Sequence, residues 1–167
     1  MRNSVSKGKY GYDVAFFSEK RIETIELKDN ESRACLLLVP GYQGRVMTST
    51  VEGNEGVSFG WINYKLIESG KVSTQFNPFG GEERLWLGPE GGPFSIYFKK
   101  GAEQVFTNWV VPKEIDTESF ETTIPYKVTE PTLVRLSIHQ DNLDLAISDP
   151  DLKKYIYVHT MELMLYP

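Results

Sequence analysis

The chain has 167 residues and a net charge of −5, with 18 Lys and Arg against 23 Asp and Glu, a length that fits one domain or the N-terminal part of a larger one. No basic run of five or more occurs, so nucleic acid and anionic membrane surfaces are disfavoured as partners, because phosphate contacts need clustered Lys and Arg. Cys35 is the only cysteine, which excludes an intrachain disulfide and a Cys-rich zinc site.

The first nine residues carry charge but no apolar core segment, so no signal peptide is read. A cytoplasmic location is expected on that ground, and a periplasmic one if a leader preceded this sequence. No apolar run approaches the ~20 residues of a bilayer-spanning helix. Asp13 is placed to cap a short helical turn over residues 14–20. Ile25–Leu27 and Cys35–Val39 flank a polar turn at 28–32 and read as strand, turn, strand; the second run is continuously apolar, as for a strand buried on both faces. Asn63–Ser69, followed by Gly70, reads as a short capped helix. Phe94, Ile96 and Phe98 alternate against Ser95 and Tyr97 and predict a strand. Val134, Leu136 and Ile138, a polar loop at 139–142, and Leu143, Leu145 and Ile147 predict a hairpin; Met161, Leu163 and Leu165 predict a last strand.

Period-2 patterning, with 14 Gly and nine Pro at short intervals, places the chain in the mainly β class, as an antiparallel β-sandwich. The expected organisation is a single β-sandwich domain over residues 1–167, or the N-terminal part of a larger one. An incomplete sandwich leaves strand edges open, so a homodimer, or pairing with further sequence of the same protein, is expected.

The most informative segment is Phe76-Asn-Pro-Phe-Gly-Gly-Glu-Glu-Arg-Leu-Trp-Leu-Gly-Pro-Glu-Gly-Gly-Pro93. Its five glycines and three prolines are incompatible with a strand interior, so it reads as irregular backbone at a sheet mouth. It brings Glu82, Glu83, Arg84, Trp86 and Glu90 close in sequence, with Leu85 and Leu87 spaced to face inward. Aromatic rings beside carboxylates and an Arg suit a sugar: the CH face packs on the ring, while charged groups hydrogen-bond the hydroxyls. Two carboxylates with separated pKa values also suit general acid–base work. The competing reading is a charged surface loop with a structural ion pair.

The succession Gly41-Tyr-Gln-Gly-Arg-Val-Met-Thr-Ser-Thr50, Gly60-Trp-Ile-Asn63 and the segment above resembles an uncharacterised bacterial family, of Bacteroides-type organisms, with a galactose-mutarotase-like fold. The resemblance covers roughly residues 12–112. It implies an antiparallel supersandwich and kinship with the aldose 1-epimerases. A Gly-Gly-x-x-Arg-x-Trp-x-x-Pro-Glu pattern near the sugar cleft of that wider group falls here on Gly80, Gly81, Arg84, Trp86, Pro89 and Glu90. Substrate contacts are accordingly expected from Arg84, Trp86, Gly80, Gly81 and Asn77, and catalytic carboxylates from Glu82, Glu83 and Glu90. The reaction, if any, is proton transfer at a sugar hemiacetal. The general-base Glu of true mutarotases comes from a later part of the fold, and neither His139 nor His159 matches their catalytic His. The alternative is a non-catalytic structural or interaction domain.

No cofactor or metal is expected. Gly80-Gly81 and Gly91-Gly92 follow neither phosphate-loop pattern, and Asp141, Asp144, Asp149 and Asp151 lack EF-hand spacing. Thr48-Ser49-Thr50 has no neighbouring base, and Cys35 reads as an inert buried thiol. Trp61 and Trp109 serve equally as core residues or sugar platforms; Trp86 is assigned to the ligand by its Gly-rich context.

Overall fold

A computed structural model describes residues 5–29, 32–123, 133–137 and 160–164. The described chain is mainly β, with few helices and antiparallel strand pairings. None of its helices is long and apolar enough to cross a membrane.

A three-stranded sheet organises the N-terminal half. Strands β1 (Ile25–Lys28), β2 (Cys35–Val39) and β3 (Arg45–Thr50) lie in that order; the first two fall on the predicted apolar runs, and β3 is added to them. The β2–β3 register shifts between Leu37 and Leu38, which pair with Thr48 and Val46, so Met47 is the extra residue of a bulge. Both faces of the sheet are covered. Cys35, Leu37, Val39 and Met47 pack with Tyr10, Phe16, Phe17, Ile62, Ile67 and Phe79. Leu27, Leu38 and Val46 pack against Phe120 on the other side, with Leu85 alongside. The continuous apolar run of β2 is explained by that double burial.

Helix α1 spans Tyr10–Glu19, longer and earlier than the turn expected over 14–20. Lys9 is its N-cap and makes no side-chain capping bond, so the residue-type signal for its start is missing. Asp13 is not a cap but sits inside the first helical turn, 1% exposed. Its carboxylate accepts hydrogen bonds from the hydroxyls of Ser58 and Tyr64. Ser58 in turn bonds the Thr48 hydroxyl of β3, to which the Gly60 amide also donates at 3.1 Å. One carboxylate thus fastens α1 to the central sheet and to helix α2 (Tyr64–Ser69). That second helix has the expected ends: the Asn63 side chain accepts from the Leu66 amide, and Gly70 adopts the left-handed conformation.

The short strands β4 (Trp61–Ile62) and β5 (Gly80–Gly81) form a two-stranded ladder beside β3. The segment 94–98 is not a strand. Its polar backbone is satisfied locally and by a distant loop: Ser95 N–H donates to Gly92, Tyr97 N–H to the Ser95 hydroxyl, and Val110 N–H to the Tyr97 carbonyl. Tyr97, expected opposite the apolar face, is 1% exposed, whereas Phe94 is 79% exposed. Tyr97, Val111 and Ile115 instead centre a small aromatic core with Phe76, Trp86, Leu87, Ile96, Phe98 and Trp109.

A further sheet orders β6 (Glu121–Thr123), β7 (Leu133–Ser137) and β8 (Thr160–Met164), with β7 central. Both edges of β7 are therefore taken over 133–137, by β6 and β8 rather than by a four-residue-loop hairpin partner; residues 138–147 of the expected hairpin lie outside the described residues. Residue 165 of the last predicted run lies outside them too.

Burial raises the Asp13 pKa, against the lowering effect of the Ser58 and Tyr64 hydroxyls. A carboxyl raised in the folded state contributes stability that is complete below its unfolded pKa and lost as pH rises through the folded one. Wild type should therefore gain in melting temperature relative to Asp13→Asn as pH falls from about 7 towards the unfolded value of about 4. A difference that stays constant with pH contradicts the assignment.

Candidate functional site

Gly80 and Gly81 are where backbone, not side chain, is required. Both have positive φ, +98° and +113°. A Cβ on Gly80 would lie 2.1 Å from the Trp61 carbonyl oxygen, and one on Gly81 2.7 Å from Arg45 Cδ. The two glycines therefore let β5 close down on β4 and on the side chain of Arg45. Val46 holds the next residues, its carbonyl accepting from the Glu82 amide at 2.8 Å and its amide donating to the Glu83 carbonyl at 3.0 Å.

Arg45, on β3, is 2% exposed. Its Nη1 donates to the Gly80 carbonyl at 2.7 Å and its guanidinium lies 5.9 Å from the Phe79 ring centre. Phe79 itself stacks on Tyr42 with ring centres 4.2 Å apart. Burial, and then the neighbouring Arg84 charge, lower the Arg45 pKa to about 10, which leaves it charged at neutral pH.

Arg84 stands over Trp86, its guanidinium 4.3 Å from the ring centre and 5.8 Å from that of Phe76. Its Nη2 donates to the Ile115 carbonyl at 2.6 Å and lies 3.7 Å from Asp116 Oδ1. Asp116 is 2% exposed, and burial raises its pKa, opposed by Asn77, Arg84 and Arg45. Its Oδ2 accepts from Asn77 Nδ2 at 2.8 Å. Asn77 is fully occupied: Oδ1 accepts from the Ser73 amide, and Nδ2 also donates to the Ser73 carbonyl, both at 2.7 Å. Gln43, buried and left-handed at φ +67°, donates from Nε2 to the Leu85 carbonyl at 3.1 Å.

Among the described residues, five buried side-chain atoms have no hydrogen-bond partner within the chain, and all belong to these groups: Gln43 Oε1, Arg45 Nε and Nη2, Arg84 Nε and Asp116 Oδ1. Buried polar atoms are nearly always satisfied, because each unmet one costs roughly 1–3 kcal/mol. Their concentration in one cluster marks it as the candidate site.

The three candidate carboxylates do not converge. Glu82 accepts from the Ser49 hydroxyl at 3.0 Å, and partial burial raises its pKa. Glu83 turns back to accept from the Arg84 amide at 3.0 Å, while Glu90 accepts from the Trp86 indole N–H at 2.6 Å. Trp86 is also stacked on Tyr97, which stacks on Trp109, which stacks on exposed Phe106. Its ring is thus engaged by Arg84, Tyr97 and Glu90 together. Leu85 and Leu87 do face inward, into different apolar clusters. Trp61 is 63% exposed and so is not a core residue, whereas Trp109 is half-buried in the aromatic cluster. The Cys35 thiol is buried and its pKa raised, consistent with an inert group. His139, His159, Asp141, Asp144, Asp149 and Asp151 lie outside the described residues, among which no metal-binding group of His, Cys, Asp and Glu assembles.

Sequence reasoning passed over Gln43, Arg45 and Asp116. One signal for Arg45 was present: it directly precedes the apolar pair Val46-Met47, in a strand whose first four residues are all buried.

The glycine contrast is testable. Gly80→Ala should destabilise the fold by at least about 2 kcal/mol, as expected for overpacking combined with a strained φ. Gly41→Ala, whose Cβ meets nothing within 4 Å, should stay within about 0.5 kcal/mol. Denaturant unfolding of both variants checks this, and equal losses contradict the packing assignment.

Searches against curated proteins and solved structures give no match. The model of a family of unknown function, DUF6786, matches residues 8–140. That match covers more than half of the chain, which therefore belongs to the DUF6786 family of unknown function.

Proposed function

We propose that this chain binds a carbohydrate at the Gln43–Arg45–Arg84–Asp116 cluster. The observation that carries the reading is the mixture of unmet atoms: three guanidinium nitrogens with hydrogens to donate beside two oxygens with lone pairs to fill. A simple anion satisfies only the first kind and a cation only the second. A hydroxyl does both, since it donates one hydrogen bond and accepts up to two. A sugar presents several such hydroxyls on one ring, so a single ligand can meet donors and acceptors together. The resemblance of the Gly80–Glu90 motif to the galactose-mutarotase-like group supports the same reading, and with it an antiparallel sandwich architecture.

The reading is one of binding. Glu82, Glu83 and Glu90 are directed to three different partners, so no pair of them is set to work as acid and base on one substrate. A second reading, a non-catalytic structural domain, is favoured by the engagement of Trp86, whose ring and N–H are occupied within the chain.

Titration with neutral mono- and oligosaccharides, followed by tryptophan fluorescence and calorimetry, separates the two. Saturable binding at about millimolar affinity or tighter is expected for at least one sugar. Arg84→Lys keeps the charge but loses Nε and the planar fork, and should weaken that binding about tenfold. A folded wild type that binds no sugar supports the structural reading instead.

A further inference from the structure

Charge accounting over the cluster narrows the ligand class. Arg45 and Arg84 bring two positive charges and Asp116 one negative, all three interacting electrostatically. Asp116 is the sole carboxylate at hydrogen-bond or ion-pair distance of either guanidinium among the described residues. It is already drawn off on one side by Asn77, which donates to its Oδ2. Among the described residues, Arg45, the more buried of the two arginines, has no ion pair and a single hydrogen bond, to a neutral carbonyl. A buried cation in that state is strongly disfavoured unless an anionic group meets it.

The unmet atoms are biased in the same direction. The three nitrogens carry four N–H hydrogens, one on each Nε and two on Arg45 Nη2, against two unmet oxygens. Hydroxyls alone would balance the oxygens and leave the guanidinium charge uncompensated. Guanidinium groups match the geometry of a planar carboxylate, which accepts two parallel hydrogen bonds.

Resting on the carbohydrate reading above, we propose that the ligand is an acidic sugar, one whose ring carries a carboxylate as in the uronic acids. The carboxylate is received by Arg45 and Arg84, and neighbouring ring hydroxyls meet Gln43 Oε1 and Asp116 Oδ1. Arg84, with 19% of its side chain exposed, is the most exposed of the four, and Gln43, Arg45 and Asp116 are at most 2% exposed, so the ligand has to displace the Arg84 side chain to reach them. Arg45 supplies selectivity for the charge, while Asp116 opposes the incoming carboxylate and limits its affinity.

Matched pairs test this by calorimetry: glucose with glucuronate, galactose with galacturonate, mannose with mannuronate, and acetate as the bare anion. At least one uronate should bind about tenfold or more tightly than its neutral partner, and acetate should be far weaker than that uronate. Arg45→Gln should collapse the preference to within about twofold. Asp116→Asn, which keeps the shape but removes the opposing charge, should raise uronate affinity several-fold with little effect on the neutral sugar. This second variant keeps the inference testable if Arg45→Gln does not fold. Neutral sugars binding as tightly as uronates overturn the acidic-sugar inference and leave the carbohydrate reading intact. No binding by either member of any pair, from folded protein, overturns both. Uronate binding unchanged in Arg45→Gln also overturns the inference, because Arg45 then faces only ordered water.

Discussion

A guanidinium group is among the most expensive side chains to withdraw from water, and Arg45 is withdrawn almost completely. Its aliphatic stem lies where a Cβ of residue 81 would have to be, its Nη1 is tied to the Gly80 carbonyl, and its charged plane lies near Phe79. These relations account for much of the middle of the molecule. Strand β5 has to be Gly-Gly so that it can close on both Arg45 and the Trp61 carbonyl. The segment that follows has to run back along β3 at Val46 before turning outward with Arg84. Arg84 then meets Ile115 and Asp116 and anchors the aromatic core around Tyr97.

Two kinds of polar burial coexist in this fold, and they differ in how completely they are satisfied. At Asp13, both carboxylate oxygens accept hydroxyl hydrogen bonds and the network continues through Ser58 to Thr48. That arrangement is self-contained and fastens two helices to the sheet. At Arg45, Arg84, Asp116 and Gln43, donors and acceptors have no partner among the described residues. A closed network rigidifies a core, whereas an open one weakens it unless something from outside completes it. The contrast within one small chain is the reason for assigning a ligand to the second cluster and none to the first.

Much of the fold was legible in the sequence where local chemistry decides the structure. Asn63 and Gly70 bracket a helix because one offers a capping carboxamide and the other a left-handed terminus, and both act within a few residues. The strands around the 28–32 turn were equally plain from their apolar runs. Where long-range contacts decide, the signal failed. Asp13 has the right chemistry for a cap, but tertiary hydroxyls claim it and α1 starts earlier at an uncapped Lys9. Phe94 to Phe98 alternate as a strand would, yet their backbone finds partners in turns and in Val110, and Tyr97 is drawn inward by Trp86 and Trp109. The Gly-rich motif holds Arg84 and the two glycines that pack beside Arg45, but not the rest of the candidate cluster: Arg45 comes from β3 and Asp116 from more than thirty residues downstream of Arg84.

On the proposed reading, a ligand completes the arginine cluster, which is not itself a stabilising feature. The melting temperature of Arg45→Met tests this most directly, since Met approximates the aliphatic stem without the charge. The account predicts a melting temperature equal to or above that of wild type in the absence of ligand, as when a poorly compensated buried charge is replaced by an apolar side chain. A fall of several degrees would show that Arg45 supports the fold on its own account and would contradict the claim.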